Sequence, residues 1–174
     1  RTIGALVGAS RKADALANEL AARVDVVRTQ SARLSSRPRV YFEEWDEPMI
    51  SGLRWVSELV EAAGGIDVFP EIAKRKNAKD RIVTAEQVVA ARPDIIIGSW
   101  CGKKFVPNKV AARPGFAVVP AVVTGFLREV KSTLILQPGP AALTDGLDAL
   151  TRIIHEWVES QEADVVSSCF FKQG

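Results

Sequence analysis

The sequence predicts an α/β fold: a three-layer sandwich around a short, mostly parallel sheet, preceded by a long helix. Three observations carry this prediction. Asp94 to Ser99 is a continuous apolar run, the pattern of a parallel strand buried on both faces. Short β-like runs alternate with stretches of helical periodicity, which favours helices layered on a sheet. Ahead of the first β-run, Ala13, Leu16, Ala17, Leu20, Ala21, Val24 and Val27 recur at helical spacing.

Taken in order, residues 1–9 read as the end of a segment that begins earlier, and Ser10 is placed to cap a helix reaching about Leu34. The polar Ser35–Pro38 ends it. Arg39 to Phe42 is a short strand that spills into an acidic-aromatic lip, Glu43, Glu44, Trp45, Asp46 and Glu47, broken by Pro48. Leu53, Val56, Leu59, Val60 and Ala63 form the buried face of the next helix, capped at Ser51 and stopped at Gly64. Ala73 to Asp80 is a basic loop. Thr84 and Gln87 have capping-box spacing, which puts Glu86 in the first turn of a short helix closed by Pro93. The strand after it ends in a second lip, Trp100, Cys101, Gly102, Lys103 and Lys104. Val118 to Val123 reads as a third strand, near an edge because of Pro120, and Gly125 to Val130 as a fourth. Pro138 and Pro140 open a last helix with a stripe from Ala142 to Trp157. From about Ser160 no pattern persists, and a loose tail is expected.

At 174 residues, 47% hydrophobic and 25% charged, the chain is sized for one domain with a real core. A net charge of +2, with the basic residues dispersed, gives no electrostatic footprint for nucleic acid. No run approaches the ~20 apolar residues of a membrane span. Cys101 and Cys169 fit no metal spacing and read as free thiols.

A catalytic constellation is hard to assemble. His155 is the only histidine and sits on the terminal helix, and no phosphate-binding loop, dinucleotide fingerprint or nucleophile elbow is present. Cys101 has Lys103 and Lys104 nearby to lower a thiol pKa, but it has no base. The acidic lip suits either a hard cation or a general acid/base pair, although adjacent carboxylates on a strand point to opposite faces. Trp45 and Trp100 each fall just past a strand end, where packing does not require them, and Trp55 lies on the shoulder of its helix. Two aromatic platforms with Lys103, Lys104 and Lys131 suit a large, flat, partly anionic organic ligand.

The stretches VYFEEWDEPMISGLRWVSELVEAAGGIDVFP, RIVTAEQVVAARPDIIIGSWCG and ILQPGPAALTDGLDAL resemble the C-terminal lobe of the class III periplasmic substrate-binding proteins, nearest to the cobalamin-binding branch. Such proteins serve ABC importers for cobalamin and iron-siderophores. The resemblance implies an interlobe helix over 1–36, an α/β ligand-binding lobe over 37–160 and a tail over 161–174, with no N-terminal lobe in this chain. It implies a ligand, cobalamin or an iron chelate, and places Trp45 and Trp100 on the cleft-facing rim; Glu44, Trp55, Cys101 and Lys131 are the further candidate ligand contacts. Glu86 matches the acidic residue that docks on arginines of the membrane permease. A periplasmic or extracytoplasmic location, no enzyme activity and no bound cofactor or metal follow from the same likeness. A dimer through the exposed linker helix is a further expectation. The alternatives are a small hydrolase-like or cation-dependent α/β enzyme using the acidic lip, and a truncated interaction module.

Overall fold

A computed structural model describes the backbone of residues 1–170 and the side chains of residues 1–163. A short helix, α1 (Thr2–Leu6), folds back on the long α2 (Ser10–Ser31), with Gly4 so close to Ala13 that a Cβ there would lie 2.2 Å from the alanine methyl. Strand β1 (Arg39–Asp46) turns at Glu47–Pro48 into β2 (Met49–Ser51), an antiparallel partner, and α3 (Arg54–Ala62) follows. Next come β3 (Ile66–Asp67), α4 (Pro70–Ala73), α5 (Ala85–Ala91) and β4 (Ile95–Gly98). Helices α6 (Pro107–Ala111) and α7 (Pro120–Val123), strand β5 (Leu127–Glu129), α8 (Ser132–Ile135) and α9 (Leu147–Phe170) complete the described chain.

The sheet runs β2-β1-β4-β5, with β3 beside the first residues of β1. Strands β1, β3, β4 and β5 are parallel, so their C-terminal ends share one edge. Side-chain alternation divides the core in two. Val40, Phe42, Ile95 and Ile97 face Val56, Leu59 and Val60 of α3 and Leu150, Ile153 and Ile154 of α9. Tyr41 and Ile96 face the other way, onto Val88 of α5, Val110 of α6, Phe116 and Val119. This is the expected three-layer sandwich.

Several elements differ from expectation. Val118 to Val123 is not a strand: a 3₁₀ turn over Phe116–Val118 leads into α7. Pro120 is the first residue of that helix, where its fixed φ suits helix initiation, and Val118 and Val123 stand exposed. β1 runs four residues beyond Phe42, and β2 occupies the place expected for the helix start, because Ile50 bridges Ile82 and Met49 accepts from the Val83 amide. The tail expected from residue 161 continues as helix to Phe170, through a Gln-Glu-Ala stretch of good helix formers. The side chain of Cys169 lies outside the described residues. The Thr84–Gln87 capping box forms in full. In α2 only the last turns engage the core, through Val24, Val27 and Ser31, whereas Leu16 and Val26, with Ile3 and Leu6 of α1 and Val7 just after it, are exposed.

Candidate functional site

In an open α/β sheet the edge at the strands' C-terminal ends is where ligands sit. Here that edge carries Glu43–Asp46 from β1, the Ser99–Phe105 segment after β4, and Glu129–Lys131 after β5. A cleft of about 330 Å³ opens beside it, between Asp46, Pro48, Met49, Ala85, Lys109 and Arg113. A larger groove, about 510 Å³, lies among α2, α3 and α4, lined largely by charged residues such as Arg28, Arg54, Glu58 and Lys74. Its size does not outweigh its position, away from the strand ends.

Glu43 is fully buried. Tyr41 lies two residues earlier on the same strand face and donates its hydroxyl at 3.0 Å, and Trp100 donates its indole N–H at 2.9 Å. Arg113 closes the set with two bonds, at 2.6 and 2.9 Å. A carboxylate with four donors is tolerable in a dry interior only because of them. Burial, and then Glu43, push the Tyr41 hydroxyl well above its ordinary pKa. Burial opposes the Arg113 charge, yet Glu43 wins and raises it.

Asp46 is the second anchor. Its side chain is 1% exposed and takes Lys103 at 3.0 Å on one oxygen and Lys109 at 2.7 Å on the other. Burial pushes its carboxyl up, but the hydrogen bonds from Lys109 and Lys103 overturn this and hold it below the ordinary carboxylate range. Glu44 points to the opposite side, as strand alternation requires, and pairs at 2.6 Å with Arg81. Arg81 is itself buried and also donates to the carbonyls of Ser51, Arg75 and Lys76, fastening the basic loop to the sheet. Glu129 takes Lys131 at 2.8 Å, which lowers its pKa against the pull of burial.

Glu43, Glu44 and Asp46 of the acidic lip are therefore held by internal cations, while Glu47 stands exposed at the turn. Among the described residues no group of His, Cys, Asp and Glu is placed to hold a metal ion. Three of the four carboxylates on which the enzyme alternative relied are thus engaged inside the fold.

Trp45 is half-buried, its indole N–H fixed to the Glu47 carbonyl at 2.8 Å, with Lys103 Nζ 4.1 Å from the ring centroid. Trp100 is a correction. Expected as an open platform, it is only 4% exposed and lies edge-to-face on Phe105. The cause is Gly98, over whose missing Cβ the Phe105 ring settles; a Cβ there would lie 2.0 Å from that ring. Trp100 thus braces the rim from beneath. Trp55 packs against the first core and donates to the Ile135 carbonyl at 2.9 Å. Cys101 is exposed in the turn after β4, and Lys131 is exposed beside Glu129. Glu86 is exposed in the first turn of α5, where the Thr84 side chain and its own amide lower its pKa.

Glu43, Asp46 and Lys103 thus meet at the rim with Trp45, whereas Glu44 and Trp55 are engaged in other contacts. Sequence reasoning missed Lys109 and Arg113. Their four-residue spacing, one face of a helical turn, was the available signal, and it lay in a stretch with no stripe long enough to read.

The sequence model of a family described as periplasmic binding protein matches residues 1–134. No curated protein matches the chain. Among solved structures, a possible iron-binding (periplasmic solute-binding) protein from Staphylococcus epidermidis is 22% identical, with a TM-score of 0.74 over 88% of this chain and 58% of its own. The periplasmic heme-binding protein RhuT from Roseiflexus sp. RS-1 is 23% identical, with a TM-score of 0.70 over 88% and 61%. The periplasmic vitamin B12 binding protein BtuF of Vibrio cholerae is 20% identical, with a TM-score of 0.59 over 81% and 52%. These likenesses establish the shared fold, and the chain spans little more than half the length of these structures.

Proposed function

The chain belongs to the periplasmic binding protein family, and from that premise we propose that it forms one wall of a cleft that captures cobalamin or a related metal chelate for an ABC importer. The observation that carries this reading is Trp45, held on the strand-end rim with Lys103 at its ring and every neighbouring buried carboxylate already paired, while Lys104 and Lys131 stand exposed farther along the same rim, after β4 and β5. A conjugated ring stacks on such an indole, and its acidic substituents meet the lysines. Capture and release need no nucleophile or base. The longer solved relatives support an opposite wall supplied by a second lobe, whose natural seat is the exposed apolar face of α1 and α2.

Delivery requires a partner. Glu86 is exposed, ionised and pre-positioned by a complete cap, which suits an arginine on the outward face of a permease. An extracytoplasmic location goes with this role, and among the described residues no helix is long and apolar enough to cross a membrane.

Isothermal titration with cyanocobalamin, ferric hydroxamate and heme tests the proposal. One saturable chelate site supports it. No binding of any of the three, by this chain or by a form carrying a second lobe, contradicts it.

A further inference from the structure

Lys103 covers one face of Trp45, the aromatic platform of the binding function proposed above. Its ammonium sits 4.1 Å from the Trp45 centroid and 3.0 Å from Asp46 Oδ1. A flat ligand cannot stack on that face while the ammonium is there. We propose that Lys103 is a displaceable cap on Trp45 that makes the rim selective for flat, conjugated ligands carrying carboxylates over the same ring without them. This inference rests on the binding function proposed above and adds its charge selectivity.

Four observations let the cap move while its seat stays. Lys109 holds the other oxygen of Asp46 at 2.7 Å, so the departure of Lys103 strands no buried charge. Trp45 is tied by its indole N–H to the Glu47 carbonyl and does not depend on Lys103 for its orientation. Cys101, Gly102, Lys103 and Lys104 are all exposed, and the turn bond from the Lys103 amide to the Trp100 carbonyl is long, at 3.4 Å. Gly102 adopts a left-handed φ of +70° with open space around it, giving the turn a pivot. Beneath the turn, Trp100 is fixed to buried Glu43. An incoming ring therefore replaces a cation–π contact and one partly buried ion pair. A carboxylate on the ligand gives the displaced ammonium a new partner, whereas a ligand without one leaves it only water.

Fluorescence titration of the full chain with iron deuteroporphyrin and with its dimethyl ester compares one ring with and without two carboxylates. Wild type should prefer the acid, and Lys103→Gln should reduce the acid-to-ester preference about two- to fivefold, the size expected for the one new ion pair between the displaced ammonium and a ligand carboxylate, since the lost cation–π contact is common to both ligands. An unchanged preference overturns the cap and leaves the binding reading standing. Should wild type bind neither porphyrin, acrylamide quenching without ligand decides: Lys103→Gln must make Trp45 more accessible, taken as the difference from Trp45→Phe backgrounds. Equal quenching overturns the inference. A variant with altered far-ultraviolet circular dichroism is replaced by Lys103→Met, which keeps the apolar stem and removes the charge.

Discussion

Arg113 grips Glu43 through both terminal nitrogens, at 2.6 and 2.9 Å, and the carboxylate it grips has no exposure to solvent. The pair joins α6's C-terminal flank to the end of β1, and through the Glu43–Trp100 bond it also fixes the segment after β4. Removing one partner leaves an uncompensated buried charge, so Arg113→Met should cost about 3–5 kcal/mol in urea unfolding. Adding Glu43→Gln to that variant should recover part of the loss. A double variant no more stable than Arg113→Met would show that the charge itself is not what the pair neutralises.

Asp46 makes stability depend on pH. Its carboxyl is held below its ordinary range in the folded chain by Lys109 and Lys103, against the opposing push of burial. A depressed folded pKa contributes stability that is present above the unfolded value, about 3.9, and is lost as pH falls through the folded value. The urea midpoint of wild type should exceed that of Asp46→Asn by a constant margin above about pH 5. The margin should shrink below about pH 4. A margin that widens on acidification would contradict the assignment.

Gly98 is the contact on which Phe105 settles, and Trp100 packs on that ring. A methyl at this position meets the Phe105 ring at 2.0 Å, so Gly98→Ala should destabilise by about 1–3 kcal/mol through overpacking. It should also red-shift the Trp100 emission by opening the indole to water. Pairing it with Phe105→Ala should remove the clash and its added stability cost, while the emission stays red-shifted because the ring that covers Trp100 is gone.

Under the proposed function, a change at Glu86 should separate docking from capture. Glu86→Arg should leave the circular dichroism and ligand affinity of the chain unchanged and weaken association with permease in proteoliposomes. Thr84→Ala should instead cost about 1 kcal/mol of stability by removing the cap of α5. Parallel loss of ligand binding and docking in Glu86→Arg would point to misfolding rather than to an interface.

The core layers were legible because period-two and period-3.6 patterns record burial directly: the run Ile95–Ile97 and the α3 stripe landed where expected. Val118–Val123 misled because four valines signal a strand while Pro120, a helix starter, decides the local backbone. At the rim, the lip at Glu43–Glu47 was visible as composition, and so was its strand-end position. Its chemistry was not. Whether Glu43 is a free acid or a buried structural anchor depends on Arg113, seventy residues away, and whether Trp100 is a platform depends on an absent Cβ at Gly98. Pairings over such distances leave no local pattern in one sequence.

The central claim is that Trp45 on the strand-end rim contacts the captured chelate. The most direct test is ligand-induced tryptophan quenching, measured for wild type, Trp45→Phe and Trp157→Phe in a form that binds chelate. Saturable quenching that persists in Trp157→Phe and is largely lost in Trp45→Phe, with affinity weakened in the latter, is the predicted result. Quenching and affinity that survive intact in Trp45→Phe would place the ligand elsewhere and contradict the claim.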